Sequence, residues 1–166
     1  KGNIDMMSGI DPTYKDELLT PDGRLREVYA GKINLLTRPY LNTEYLGFVV
    51  APSSGTGRVV PKGVRRAVNM SFDRVKMIRY LRNNIGIPGL QGITPAGLPS
   101  FDRSKQHYRY DPEAARRELA SAGYPGGRGL PALTLTSTPD YLDICKYVQH
   151  QAAAIGYPLP VPSAYH

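Results

Sequence analysis

Glycine and proline constrain this 166-residue chain more than any apolar run does. Seventeen glycines and fifteen prolines punctuate it, and Arg, Lys or Asp interrupts the rest. No window approaches eighteen uninterrupted apolar residues, which excludes a bilayer-spanning helix. The elements must therefore be short and must stabilise one another by packing. Hydrophobic residues at 41% and charged residues at 21% are ordinary for a globular protein and exclude wholesale disorder. The length suits one compact domain. Cys145 is the single cysteine, so no intrachain disulfide, cysteine-based zinc cage or CxxC redox pair can form. The chain begins at Lys1, shows no signal-peptide pattern and ends at Pro162–His166 without closing an element. A piece of a longer protein is the expectation.

Local signals divide the chain. Tyr14–Leu19 reads as a short helix and Leu25–Ala30 as a strand or helical turn. Ile33–Arg38 and Tyr45–Val50 read as strands rich in Ile, Leu, Val, Tyr and Phe, and residues 51–57 (APSSGTG) as a loop. Val64, Ala67, Val68 and Phe72 fall on one helical face. Asp73 has the chemistry of an N-cap for a second helix, with Val75, Ile78 and Leu81 as its inward stripe and Arg74, Lys76, Arg79 and Arg82 outside. Asn83–His107 reads as a long loop of the kind that carries function.

The best-marked helix begins at Asp111 as N-cap with Pro112 at N1, buries Ala115, Leu119 and Ala122, and stops at Gly123. Leu133–Thr136 reads as a strand. Thr138-Pro139 opens a last helix whose Leu142, Cys145, Val148, Ala152 and Ile155 face inward until Gly156. Tyr157, Leu159 and Val161 alternate as a strand does, but Pro158 and Pro160 remove two ladder donors, which makes it an edge strand or no strand. The fold class expected is α+β, a mixed β-sheet with packed helices.

Enzymatic chemistry is sparse. His107, His150 and His166 lack metal-ligand spacing with Asp or Glu. Ser53 and Ser54 sit among glycines without a GxSxG elbow or a Walker motif. Residues 123–129 (GYPGGRG) follow a helix, so a helix stop and turn account for them better than a phosphate loop does. No catalytic residue, metal or cofactor is expected. The strongest unspecific signal is charge: Arg58, Lys62, Arg65, Arg66, Arg74, Lys76, Arg79 and Arg82 stand against one acid, Asp73, within a formal net charge of +7. A nucleic-acid-binding surface is one reading. Arginines spread round several faces without interleaved aromatics favour the other, a solvated helix surface.

The order of motifs resolves the choice. Gly2-Asn-Ile4-Asp5, Tyr45-Leu-Gly-Phe48, Gly63-Val-Arg-Arg-Ala-Val-Asn69 followed by Asp73-Arg74, then Tyr110-Asp-Pro-Glu113 leading to Ala122-Gly-Tyr-Pro125, and Ile155-Gly156 resemble the peptide/nickel-type (family 5) extracellular solute-binding proteins. The resemblance runs over roughly residues 1 to 161. Val49 replaces the family's Asn after Y-L-x-F, and Phe72 replaces a small residue before Asp-Arg; both imply local repacking.

The resemblance implies most of the second lobe of a two-lobed, type II periplasmic-binding-protein-like architecture, with residues 1–166 as a single domain. It implies the substrate-binding component of a bacterial ABC importer. Such a protein is periplasmic or extracellular, with membrane anchoring through a missing N-terminus, and captures an oligopeptide or similar solute between two lobes. The implied partners are a small solute, the permease subunits and the missing first lobe, in a monomer that binds no nucleic acid. Ligands of mixed α/β lobes meet strand ends and the helix N-termini that follow. That rule selects Thr136, Ser137, Asp140 and Tyr141 as ligand-binding candidates. Arg79 with Tyr80, and the Pro95–Phe101 loop, are further ones.

Overall fold

The computed structural model describes residues 4–11, 14–38, 40–50 and 60–161. The 51–57 loop with Ser53 and Ser54, Arg58, His166 and the Gly2-Asn3 half of the first motif lie outside the described residues. Among the described residues there are five α-helices: α1 (Lys15–Leu18), α2 (Lys62–Ser71), α3 (Arg74–Leu81), α4 (Pro112–Ser121) and α5 (Leu142–Ala153). One-turn 3-10 segments occupy Glu27–Tyr29, Pro125–Gly127 and Pro139–Tyr141. Leu25–Ala30 is thus a helical turn rather than a strand, with a single bridge between Leu19 and Leu25 at its start.

The core forms where α2 lies on α4. Val64, Ala67 and Val68 of α2 and Ala115 and Leu119 of α4 are fully buried in one cluster with Cys145, Val148 and Ala152 of α5. Each large aliphatic side chain buried there contributes about 1.5–3 kcal/mol. Gly63 sets the closeness of the crossing: a Cβ there would stand 2.9 Å from the Ala122 Cβ and 3.2 Å from the Glu118 carbonyl oxygen.

Capping follows the sequence closely. Asp111 accepts from the Ala114 N–H at 2.8 Å, and Asp73 accepts from Val75 and Lys76 at 3.0 Å each. Helices α4 and α5 end alike. The Tyr124 N–H donates to the Leu119 carbonyl at 2.9 Å and the Tyr157 N–H to the Ala152 carbonyl at 3.0 Å, each just past a left-handed glycine, Gly123 at φ +92° and Gly156 at φ +88°. The glycine-rich segment after α4 packs against the stop of α5. A Cβ on Gly127 would overlap the Gly156 carbonyl oxygen, and one on Gly156 would stand 2.6 Å from the Gly126 oxygen. Two backbones crossing without side chains explain those glycines.

Helix α3 differs from expectation. It has no buried residue, and Val75 is 56% exposed. Two of the expected outward cations turn inward instead. Arg74 lies over the Phe72 ring at 4.1 Å and donates to the Asn69 carbonyl and side chain at 2.9 Å each; burial lowers its pKa. Arg82 keeps only 19% of its side chain exposed. The aromatic ring at position 72, where the sequence departs from the family pattern, supplies the surface that draws Arg74 in.

The mixed β-sheet does not form among the described residues. Ile33–Arg38, Tyr45–Val50, Leu133–Thr136 and residues 157–161 carry no regular secondary structure, and no ladder joins them. Where 157–161 meets 133–136 the reason is chemical. The Leu135 N–H donates to the Pro160 carbonyl at 3.0 Å, but Pro158 and Pro160 have no N–H to return, so a single bond remains. Burial still alternates as in a strand, with Tyr157 and Leu159 inside and Pro158 and Pro160 outside. Segment 40–50 shows the same half-formed state: Phe48 packs on the core while Tyr45 and Val49 stand 76% and 65% exposed.

Gly156→Ala and Gly127→Ala should each destabilise by about 3 kcal/mol or more, from left-handed strain plus overlap. Gly129→Ala, with nothing within 4 Å, should cost about 1–2 kcal/mol. Urea unfolding midpoints of the three variants check the ranking. The Tyr157 hydroxyl donates to the Pro131 carbonyl at 3.3 Å, and burial pushes its pKa up to about 12. The folded state therefore holds this proton longer than the unfolded chain, so stability present below pH 10 falls as pH rises toward 12. Tyr157→Phe should flatten that loss in a pH series of thermal midpoints.

Candidate ligand-binding face

The expected ligand face takes shape at the start of α5. Residues 133–136 run into the Pro139–Tyr141 turn, whose Tyr141 N–H donates to the Thr138 carbonyl at 3.1 Å before α5 begins. Thr136 and Asp140 are exposed, and Ser137 and Tyr141 are half-buried. The Ser137 hydroxyl donates to the Thr138 carbonyl at 3.0 Å and receives the Cys145 thiol at 3.2 Å. Cys145 is thereby a packed structural residue.

Two residues absent from the sequence-based set complete the face. Glu44 accepts the Tyr141 hydroxyl at 3.1 Å. Arg82 lies over the Tyr141 ring at 5.7 Å, with Glu44 and Asp143 each 3.9 Å from its guanidinium. Burial raises the Tyr141 phenol above its ordinary range, and the Glu44 charge adds to the rise while Arg82 opposes it. Arg79 and Tyr80 lie on α3 one turn before Arg82. Both are exposed on α3, and Arg79 lies over the Tyr80 ring at 5.7 Å; the α3 end reaches Tyr141 through Arg82. The Pro95–Phe101 loop joins the same neighbourhood through segment 40–50, where Thr43 donates to the Ile93 carbonyl at 2.7 Å and Leu41 presses on Gly97. The sequence signal for Glu44 is slight: it is the one acid in an apolar segment, two and four residues from Leu46 and Phe48 on the same pleat face.

Among the described residues, no three His, Cys, Asp or Glu side chains come together as a metal site. Nor is any helix long and apolar enough to cross a membrane. The arginines of α2 are engaged within the fold. Arg65 donates to the Val60 carbonyl at 2.5 Å, and Arg66 reaches the Tyr108 hydroxyl at 3.2 Å and Glu118 at 3.8 Å.

Comparison with known proteins decides the family. The profile of the bacterial extracellular solute-binding proteins, family 5 Middle, matches residues 1–160. The chain belongs to this family. It is 33% identical over 98 residues to heme-binding protein A of Haemophilus influenzae, a match covering 58% of this chain and 17% of that protein. With the glutathione-binding protein GsiB of Shigella flexneri it shares 24% over 124 residues, 75% of this chain and 23% of that one. Among solved structures it resembles the periplasmic oligopeptide-binding protein OppAIV of Borrelia burgdorferi, at TM-score 0.51 and 21% identity, covering 68% of this chain and 22% of that one. It also resembles MoaA of A. tumefaciens R10 in complex with mannopinic acid, at TM-score 0.50 and 22% identity, over 63% and 21% of the two chains. The chain spans about a fifth of the length of these solute-binding proteins. They bind rather than transform their ligands, so the family member is not an enzyme.

The nucleic-acid alternative has no support in these relatives or in the arginine contacts. Titration with a 20-base-pair duplex at low salt should show weak binding without the steep salt slope that a phosphate-neutralising face produces. A slope of several counterions would reinstate it.

Proposed function

We propose that this chain is part of the substrate-binding component of a bacterial ABC importer, working in the periplasm or outside the cell. The observation that carries the reading is the family match across residues 1–160. The solute is an oligopeptide or a similar small molecule; the relatives' names mention heme, glutathione, oligopeptides and mannopinic acid. Function is capture between two lobes by hinge closure, with delivery to the permease subunits and no covalent chemistry. Residues 1–166 supply one domain, most of the second lobe, and the whole protein acts as a monomer that a lipid can anchor.

The solute meets Thr136, Ser137, Asp140 and Tyr141, where residues 133–136 pass into the N-terminus of a helix. Arg79 and Tyr80 are a second, outlying contact. The final described segment fits this picture as well. Residues 157–161 alternate in burial like a strand, and the partners that would complete a mixed sheet belong to the remainder of the protein. A type II periplasmic-binding-protein-like lobe then forms in the whole molecule.

Calorimetry against peptide mixtures tests the reading. A longer polypeptide carrying both lobes should bind tightly, and this chain alone should bind at least about a hundredfold more weakly because half the cleft contacts are absent. Equal nanomolar affinity for the chain alone would overturn the two-lobe capture. In the longer polypeptide, Asp140→Asn or Tyr141→Phe should weaken binding by about three- to tenfold.

A further inference from the structure

Resting on that solute-binding reading, we propose that Glu44 and Arg82 are positioning residues for Tyr141, a latch that fastens segment 40–50 to the mouth of α5 and fixes the ring the solute meets. Tyr141 is held at two places. Its hydroxyl donates to Glu44 Oε1 at 3.1 Å, and the Arg82 guanidinium lies over its ring at 5.7 Å. Glu44 uses its other oxygen on the same cation, with Oε2 3.9 Å from Arg82 Nη2, while Asp143 Oδ2 stands 3.9 Å from Nη1. One guanidinium thus separates two carboxylates, with Asp140 as a further charge near the phenol.

The frame around this group is firm on one side and light on the other. Arg82 is the C-cap of α3, its N–H bonded to the Ile78 carbonyl at 3.1 Å, and α3 is tied to α5 by the Tyr147 hydroxyl on the Asp73 carbonyl at 3.0 Å. Segment 40–50, by contrast, has no backbone hydrogen bond to the body of the domain among the described residues. Side chains alone hold it: Leu41 on Gly97, Thr43 on Ile93, Phe48 on the core, and Glu44. Glu44 supplies the charged contacts among them and ends on a residue of the ligand face, so the segment and the face are positioned together. Arg82 has the larger role, because its loss leaves Glu44 and Asp143 without their shared counter-charge.

A thermodynamic cycle in this chain decides the matter. Glu44→Gln, Tyr141→Phe and the double variant are compared by urea unfolding, with Glu44→Asp as the conservative variant. The latch requires coupling: the double variant's unfolding constant should match that of the worse single variant within about threefold. Its spectroscopic signature is the Tyr141 phenol, followed by carbon NMR of ring-labelled tyrosine and assigned with Tyr141→Phe. Glu44→Gln should lower the pH at which that phenol ionises, Glu44→Asp should restore it in part, and Arg82→Met should raise it. Additive losses together with an unmoved phenol titration would overturn the latch. Coupling in this chain with no solute binding by the longer polypeptide would overturn the functional reading and uphold the latch; solute binding without coupling would do the reverse.

Discussion

With no Cβ on Gly63, α2 and α4 approach until Val64, Ala67 and Val68 share one dry cluster with Ala115 and Leu119, and the other elements take their places from that pair. Helix α5 lays Cys145, Val148 and Ala152 into the same cluster. Its C-terminal stop comes beside that of α4, so the Gly156 and Gly127 backbones cross in contact. Helix α3 buries nothing fully and depends on its ends: Asp73 below, Arg82 above, and Tyr147 of α5 at the Asp73 carbonyl. The ligand face inherits its geometry from this arrangement, since the first turn of α5 and the last residue of α3 carry Tyr141 and Arg82.

What could be read in advance follows the range of the interactions. Helix starts and stops are local chemistry. Asp111-Pro112-Glu113 contains its own cap bond, and Gly123-Tyr124 and Gly156-Tyr157 contain their own stops, so all were legible. Strands are not local. Residues 45–50 carry the right residue types and 157–161 the right alternation, but a ladder needs a second backbone with free donors, and two prolines are enough to deny it at 157–161. The inward stripe assigned to α3 failed for a related reason: periodicity gives a face, while the packing of Phe72 against Arg74 decides which face is covered.

The candidate site shows the same division. Strand end, hydroxyls and helix start lie within six residues, and the sequence pointed to Thr136, Ser137, Asp140 and Tyr141 together. Glu44 meets Tyr141 across 97 positions, and nothing in the spacing of one chain reports that meeting. Arg79 and Arg82 are three residues apart on one helix. Only the direction in which α3 ends, set by its packing on α5, makes Arg82 the one that arrives.

The excess of positive charge also acquires a structural meaning. Carbonyl groups in the last turn of a helix lack partners, and the helix dipole favours cations there. Lys15 donates to the Leu81 carbonyl at the end of α3. Arg26 takes the Leu19 carbonyl after α1 at 3.1 Å, Arg74 the Asn69 carbonyl in α2 at 2.9 Å, and Arg116 the Ala154 carbonyl after α5 at 2.9 Å. Four helix ends thus meet a lysine or arginine: Lys15 and Arg116 arrive from distant parts of the sequence, Arg26 and Arg74 from within seven residues. Charge spent this way is not a surface for nucleic acid. It is a set of local and long-range caps, and a chain of short, proline-punctuated helices has many carbonyl ends to satisfy.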